Sequence, residues 1–124
     1  MQKTESTENY LERIYMLREE KGNVRSIDIA HALNFSKPSV SNAVKKLAEK
    51  GYITVDGDHN LFLTSKGEGI ATRIYKRHCD LANLFMALGV SEETAYADAC
   101  MIEHDISEET YQCLLAHYNS HFKK

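Results

Sequence analysis

The stretch Asn34-Phe-Ser-Lys-Pro-Ser-Val-Ser-Asn-Ala-Val-Lys-Lys-Leu-Ala-Glu-Lys-Gly-Tyr52 decides the fold of this 124-residue chain, because it predicts one helix with both ends marked. Ser36 is a typical N-cap, since its hydroxyl can accept from a first-turn N–H. Pro38 falls in the first turn, where a missing N–H costs little. Gly51 follows the last periodic residue, where a left-handed residue closes a helix. Helical spacing predicts one buried stripe, made of Val40, Val44 and Leu47.

The opposite face of this helix is polar and basic. Small hydroxyl and amide groups stand near its N-terminal end, and the lysines stand further along. This layout is typical of a helix that enters a DNA groove while its cations contact phosphates. For the lysines alone, an ordinary solvent-exposed helix face is the better interpretation. The flanking segments therefore decide whether this helix is expected to contact DNA. The candidate DNA-contacting residues are Arg25, Ser26, Ser36, Lys37, Pro38, Ser39, Ser41, Asn42, Lys45 and Lys46.

The flanking segments predict a helix-turn-helix followed by a wing. A first helix begins at Thr7 or Ser6 and runs to about Glu20, and Ser26 caps a short second helix. A three-residue turn then leads to the basic helix, which is helix-turn-helix spacing. Segments 52–55 and 61–63 are apolar and β-branched or aromatic, and an Asp-Gly-containing turn joins them, so they predict a hairpin.

Residues 65–124 predict three helices with almost no loop. A long helix runs to Gly89, Ser91 caps one that runs to about Asp105, and Ser107 caps the last, which ends near Phe122. Three helices bury only a small apolar core, so we expect a second copy of the chain to cover the remaining apolar surface. We therefore expect a mainly α protein: a winged helix-turn-helix DNA-binding domain with a small β-hairpin wing (1–64), then a helical metal-binding and dimerisation domain (65–124). The candidate dimer contacts are Leu81, Leu84, Phe85, Leu114 and Leu115.

Composition narrows the class of protein. The formal net charge is −3, but residues 36–50 hold four lysines against one glutamate, and local charge matters more for DNA contact. No signal peptide or membrane span is visible, so we expect a cytoplasmic protein. Three cysteines indicate thiols or ligands rather than a disulfide framework. Neither a Gly-rich phosphate loop nor a nucleophile turn is present, which argues against an enzyme.

The segment Cys100-Met-Ile-Glu103-His104 carries the sharpest chemical signal. On one helix, positions i, i+3 and i+4 share a face, so a thiolate, a carboxylate and an imidazole would point the same way. Each is a transition-metal ligand. The signal is weak alone, because cysteine often serves as a small core hydrophobe and Glu or His on a helix is usually solvated. His78 on the preceding long helix adds a further donor, although a lone histidine is more often a surface or interface residue.

The order of these elements resembles the metal-dependent repressors of the diphtheria toxin repressor and manganese transport regulator family. Three stretches match closely: Tyr10-Leu-Glu-Arg-Ile-Tyr-Met-Leu17, Ser36-x-Pro-Ser-Val-Ser41 and Leu61-x-Leu-Thr-Ser-Lys-Gly67. The similarity covers nearly the whole chain. It is nearest to the shorter, manganese-type members, which lack an SH3-like C-terminal domain, and we expect none here.

The resemblance implies a metal site that takes ligands from both halves of the chain. Four of its residues match the manganese-type pattern directly. Asn9 departs from it, because manganese-type members have aspartate there and iron-type members methionine. Cys100 stands where manganese-type members have glutamate and iron-type members cysteine, and Ala82 leaves the ancillary site of iron-type members incomplete. The implied ligands are Asn9, Glu12, His78, Cys100, Glu103 and His104.

Ligand chemistry orders the candidate metals. Thiolate favours iron(II) or zinc over manganese, and Asn9 offers only a neutral carbonyl oxygen. We therefore expect Fe²⁺ first, with Mn²⁺ as the alternative and Zn²⁺, Co²⁺ or Ni²⁺ able to bind in vitro.

The resemblance implies a homodimeric DNA-binding transcription regulator. It would repress metal-uptake genes from a double-stranded operator and use no small-molecule substrate. A metal that joins ligands of both halves would fix the spacing of the two recognition helices. A metal-independent winged-helix regulator with redox thiols is the alternative.

Replacing Lys45 or Lys46 by alanine should weaken binding to all DNA sequences and reduce the salt slope by about one, because each lysine is expected to contact a phosphate. Binding to operator DNA across a salt series measures the slope. If both variants keep the wild-type slope, the recognition helix is wrongly assigned.

Overall fold

A computed structural model describes residues 7–122 of the chain. Within that range no helix combines the length and apolar character needed to cross a membrane. The described residues form two compact units, the first ending at Thr72 and the second beginning at Arg73. Their elements are α1 (Thr7–Lys21), α2 (Ser26–Leu33), α3 (Lys37–Glu49), β1 (Ile53–Val55), β2 (Leu61–Leu63), α4 (Ser65–Ala87), α5 (Glu92–Ile102) and α6 (Glu108–His121).

This architecture confirms the predicted fold class, a mainly α protein with one small hairpin. Helix α4 is continuous across the division between the two units. The predicted domain boundary after residue 64 stays a prediction. Ser6, the alternative start of the first helix, lies outside the described residues.

The first unit packs α1, α2, α3 and the hairpin around one apolar core. Strands β1 and β2 pair antiparallel with Ile53 opposite Leu63, which forms the predicted wing. The Leu61 N–H donates to the Val24 carbonyl at 2.7 Å and ties the wing to the segment before α2. Each fully buried aliphatic side chain contributes roughly 1.5–3 kcal/mol. The fully buried members include Leu11, Ile14, Val24, Ile29, Val40, Ile53 and Leu61.

Helix α3 begins and ends as the sequence predicts. The Ser36 hydroxyl accepts from the Ser39 N–H at 3.2 Å, and Pro38 lies in the first turn. Gly51 has a φ of 82°, the left-handed conformation that favours glycine. The predicted stripe is buried in the core: Val40, Val44 and Leu47.

The start of α2 differs from the prediction by one residue. Arg25 occupies the N-cap position and Ser26 is the first helical residue. The cap bond comes from inside the helix, because the Asp28 carboxylate accepts from the Arg25 N–H at 2.8 Å and also pairs with Lys21 at 2.8 Å. An acidic side chain in the first turn can therefore replace a hydroxyl at the cap.

The segment that joins the wing to α4 requires glycine at position 67. The Thr64 hydroxyl donates to the Gly51 carbonyl at 2.6 Å and accepts from the Gly67 N–H at 3.2 Å. A Cβ atom at Gly67 would lie 2.1 Å from the Tyr52 carbonyl oxygen, so only glycine fits without moving the backbone. This close approach explains why the Leu-Thr-Ser-Lys-Gly stretch has glycine at position 67.

The second unit packs α5 and α6 with the C-terminal part of α4. Its buried core is built mainly from small residues, which lets helices approach closely. Leu81 and Leu84 are already buried within a single chain, whereas Phe85, Leu114 and Leu115 are half-buried. Phe85, Leu114 and Leu115 are three of the five residues expected at a dimer contact. They therefore keep apolar surface that a second copy can cover.

Asp28→Ala should lower the free energy of unfolding by about 1 kcal/mol near pH 7, since it removes the cap acceptor. Lys21 first, and then the Arg25 N–H, hold the pKa of the Asp28 carboxyl below its usual 3.8. Because the folded-state pKa is lowered, this stabilisation is present above pH 3.8 and is lost as the pH falls through the folded-state value.

Urea unfolding followed by circular dichroism near neutrality and near pH 2.5 checks this linkage. Asp58→Ala, at an exposed aspartate of the wing, is the matched control. An equal deficit for Asp28→Ala at both pH values would contradict the assigned role of the carboxylate.

Candidate metal centre and nucleic-acid interface

Glu103 is the centre of a polar cluster in the second unit. Its side chain is 0% exposed, and its Oε2 atom accepts from His78 Nδ1 at 2.9 Å. Its Oε1 atom lies 3.3 Å from His104 Nε2. An ionised carboxylate can only accept, so in the neutral His78 ring the proton is on Nδ1 and the lone pair is on Nε2. The second unit thus brings His78, Glu103 and His104 together.

The cluster forms where α5 ends, not within the helix. The sequence predicts α5 to about Asp105, but it ends at Ile102, Glu103 is the C-cap, and His104 lies in the following turn. The Glu103 N–H still donates to the Ala99 carbonyl at 3.0 Å, so its backbone stays in helical register. Cys100 lies in the last turn of α5 and is half-buried. The sequence predicts that Cys100, Glu103 and His104 share one face of a helix. In the structure Cys100 lies within the helix, Glu103 caps it and His104 follows it.

Arg77 holds the turn that carries Glu103 and His104. Its Nη1 atom donates to the Glu103 carbonyl at 3.0 Å and to the Ile106 carbonyl at 3.2 Å. Its Nη2 atom pairs with Glu108 Oε1 at 2.6 Å. Only a guanidinium offers enough donors in a fixed fork to satisfy all three acceptors. Local sequence patterns do not predict this role of Arg77, which immediately precedes His78.

Aromatic rings set the orientation of the His78 imidazole. The Tyr75 ring stacks with it at a centroid distance of 6.2 Å, and the Tyr96 ring lies at 5.5 Å in a tilted arrangement. Together with the bond from Nδ1 to Glu103, these rings hold the imidazole in one plane. A side chain held this way is preorganised, which would lower the entropic cost of binding a metal.

A second polar network links α4 to α6 beside the cluster. The Tyr111 hydroxyl donates to Asp80 Oδ2 at 2.5 Å, and Lys76 Nζ pairs with the same carboxylate oxygen at 2.6 Å. Burial, and then Asp80, raise the pKa of Tyr111, and the hydrogen bond to Asp80 raises the pKa of Lys76. The Tyr111 ring also packs under the Arg77 guanidinium at 4.7 Å. The network therefore supports the residue that holds the Glu103 turn.

Asn9 and Glu12 belong to the first unit. Both are buried, at 2% and 4% exposure, and they stand three positions apart on α1, so they share one side of that helix. A buried carboxylate is costly unless hydrogen bonds, a counter-charge or a metal compensate for it. Their burial is therefore compatible with the ligand role that the resemblance implies.

The donor atoms of the second unit fit a divalent transition metal. The set consists of two imidazoles and one fully buried carboxylate, with a thiol in the preceding helical turn. Imidazole suits zinc, copper, iron and nickel, and carboxylate suits manganese and magnesium. A cation at such a position offsets the burial cost of the Glu103 carboxylate.

Helix α3 presents the predicted DNA-contacting residues on the surface of the first unit. Ser41, Asn42, Lys45 and Lys46 are exposed, opposite the buried stripe. The Ser39 hydroxyl accepts from Ser36 Oγ at 2.9 Å, so both serines organise the helix start. A groove of about 310 Å³ runs beside the helix, lined by Thr7, Tyr10, Ser39, Asn42, Ala43, Lys46, Leu47 and Lys50.

The remaining candidates surround the starts of α2 and α3. Arg25, Lys37 and Pro38 are exposed, and Ser26 is half-buried. Cations and small polar groups at helix starts are typical of phosphate and base contacts. All ten predicted residues thus lie in the first unit, and their individual contacts stay predictions.

A winged helix-turn-helix with an exposed basic second helix, joined to a helical unit with a buried His/Glu cluster, defines a metal-responsive DNA-binding regulator. Residues 2–61 match the family model described as iron dependent repressor, N-terminal DNA binding domain. Residues 64–123 match the model described as iron dependent repressor, metal binding and dimerisation domain. The chain therefore belongs to the iron-dependent repressor family, as the sequence resemblance indicated.

Individual relatives agree with this assignment. The HTH-type transcriptional regulator MntR of Shouchella clausii is 44% identical over 104 residues, covering 84% of this chain and 73% of the relative. The structure of IdeR of T. acidophilum superposes with a TM-score of 0.83 at 25% identity, covering 95% of this chain and 56% of that one. The manganese regulator SloR gives a TM-score of 0.77 at 29% identity, covering 94% and 55%.

These comparisons set the class of protein. The chain spans a little over half the length of the IdeR and SloR chains. The family consists of transcriptional regulators that bind DNA and metal and dimerise, not of enzymes. A divalent metal and double-stranded DNA are therefore the ligands of its two domains.

Arg77→Met should lower the free energy of unfolding by about 2 kcal/mol, because it leaves the carbonyls of Glu103 and Ile106 without their buried donor. Lys45→Met, at an exposed lysine of α3, is the control and should change the free energy of unfolding by less than about 0.5 kcal/mol. Urea unfolding of the metal-free protein measures both. Equal and small losses would show that Arg77 does not hold the turn.

Proposed function

We propose that this chain is a cytoplasmic repressor of metal-uptake genes that binds its operator as a metal-loaded homodimer. The observation that carries the proposal is the His78–Glu103–His104 cluster at the α5–α6 turn, centred on a fully buried carboxylate, in a chain whose first unit exposes a basic recognition helix. The proposed domains are the DNA-binding domain of residues 1–64 and the metal-binding and dimerisation domain of residues 65–124.

The proposed metal site uses six side chains. His78 offers the Nε2 lone pair that its bond to Glu103 leaves available, and Glu103 offers carboxylate oxygens. When bound, a divalent cation supplies the positive charge that compensates for buried carboxylates. The assignment of α1 residues rests on the resemblance and on their burial. The six ligands are Asn9, Glu12, His78, Cys100, Glu103 and His104.

Manganese is the first candidate for the physiological metal. Its support is the manganese regulator SloR among the similar structures and the carboxylate-bearing donor set. Iron(II), which the sequence chemistry placed first, is the second candidate. The half-buried Cys100 thiol favours it, because thiolate is a soft ligand and manganese prefers hard oxygen.

Ligands on both units would make metal affinity depend on the conformation of the whole chain. That dependence is the thermodynamic requirement for a metal to shift a conformational population and thereby DNA affinity. On the DNA side, we propose that Ser39 and Asn42 face base edges while Lys45 and Lys46 contact phosphates. The uptake genes of the same metal are the proposed targets, since repression at high metal would limit further import.

A metal titration with DNA binding as readout tests the proposed function. A duplex selected from a random library in the presence of Mn²⁺ serves as the probe, and fluorescence anisotropy reports binding to the full chain. Chelator should weaken binding by at least roughly tenfold, and Mn²⁺ or anaerobic Fe²⁺ should restore it. Full affinity in chelator would instead support the metal-independent winged-helix regulator.

Cys100→Ser should weaken metal-dependent DNA binding by at least roughly tenfold, because a serine hydroxyl stays protonated where a thiol ionises on a metal. Cys100→Glu should restore activation and shift the preference toward Mn²⁺, since it supplies a hard anionic oxygen. Cys113→Ser, at an exposed thiol, is the control. Thermal melts of the metal-free variants exclude a folding defect.

Comparing the responses of the variants to Fe²⁺ and to Mn²⁺ distinguishes the two candidate metals. A wild-type response of Cys100→Ser to both metals would mean that the thiol is not a ligand, and iron would lose its main support. A loss confined to Fe²⁺ would instead leave the carboxylate and imidazole ligands sufficient for Mn²⁺.

A further inference from the structure

Two histidines on the outer face of α6 form a pair that the buried cluster does not include. His117 and His121 are exposed and stand four positions apart in the segment His117-Tyr-Asn-Ser-His121. Positions i and i+4 are neighbours on a helix surface. Their imidazole rings stack with a centroid distance of 4.0 Å and an interplanar angle of 22°. Two metal-binding side chains therefore already lie side by side at this surface.

The tautomer of His121 leaves a nitrogen available for a metal. Its Nδ1 atom lies 3.1 Å from the His117 carbonyl oxygen. A carbonyl oxygen can only accept, so Nδ1 carries the proton, and in the neutral ring Nε2 keeps its lone pair. Metal-binding histidines typically donate their other ring N–H to a carbonyl or carboxylate in this way. The hydrogen bond thus prepares His121 to bind a metal through Nε2.

Aromatic packing restricts the movement of one member of the pair, His117. The Phe122 ring meets the His117 ring edge-on at 6.3 Å and stacks with the Tyr118 ring at 6.1 Å. A restrained side chain loses less rotamer entropy on binding than a free surface histidine.

We propose that His117 and His121 form a second transition-metal site, which binds a zinc-class divalent cation (Zn²⁺, Ni²⁺ or Cu²⁺) through the two imidazoles, with water at the other positions. Two nitrogens on one tetrahedral zinc lie roughly 3.3 Å apart, given Zn–N bonds of about 2.0–2.1 Å. The rings are stacked at 4.0 Å, and both side chains are exposed, so each ring can turn about its side-chain torsions until the two nitrogens face one ion.

The chemistry of the pair determines which ions it takes. It contributes two neutral imidazoles and no carboxylate, a donor set that favours zinc, copper and nickel over manganese. The buried centre, in contrast, contains the Glu103 carboxylate. The two sites would therefore discriminate between metals, and the second goes beyond the proposed repressor function and does not depend on it.

Zinc titration of the full metal-free chain tests the proposal. His117→Asn and His121→Asn should each remove one calorimetric zinc equivalent, or weaken it by at least roughly tenfold. His59→Asn is the matched control: His59 is exposed on the wing at a φ of 65°, which asparagine tolerates, and it should keep all zinc equivalents. Circular dichroism verifies the folding of each variant.

Long-range ¹H–¹⁵N spectra of the imidazoles locate the zinc directly. Zinc added beyond the equivalents that the buried centre takes up should shift the Nε2 resonances of His117 and His121 together and leave those of His31 and His59 unchanged. Equal zinc stoichiometry and affinity in all three variants, or unshifted Nε2 resonances of the pair at saturating zinc, would overturn the proposal.

Discussion

The complete burial of the Glu103 carboxylate is the constraint on which the second unit depends. An ionised carboxylate removed from water is costly unless donors or a cation surround it. His78 donates to Oε2 and His104 lies beside Oε1, while Arg77 donates to the Glu103 backbone carbonyl and holds the turn. Helix α5 ends where it does because this turn, fixed by Arg77, begins at Glu103.

The first unit depends on local interactions instead. Helix α3 is bounded by a serine hydroxyl at one end and a left-handed glycine at the other, and its polar face is what remains when its apolar stripe is buried. The connection from the wing to α4 likewise depends on a local contact, the close approach of Gly67 to the Tyr52 carbonyl. Such a unit can keep one recognition surface while the chemistry of the other unit changes.

The two histidine-containing clusters illustrate how environment assigns different tasks to one residue type. The buried His78 lies against a carboxylate, so the proposed site there carries negative charge and would suit hard as well as borderline cations. The exposed His121 donates to a neutral carbonyl, and its site suits borderline cations only. In both, the partner of Nδ1 determines which nitrogen remains for a metal.

The sequence by itself determined the fold class, the bounds of α3, the hairpin and the family, because caps, glycines and periodicity act over a few residues. It also grouped Cys100, Glu103 and His104 by helical spacing, which the structure limits to the end of α5, and added His78 from the preceding helix. Only the tertiary structure decided that Glu103 is fully buried, that Arg77 spans the α5–α6 turn and that Leu81 is enclosed in one chain. These features arise from contacts between residues more than twenty positions apart, on which local patterns carry no information.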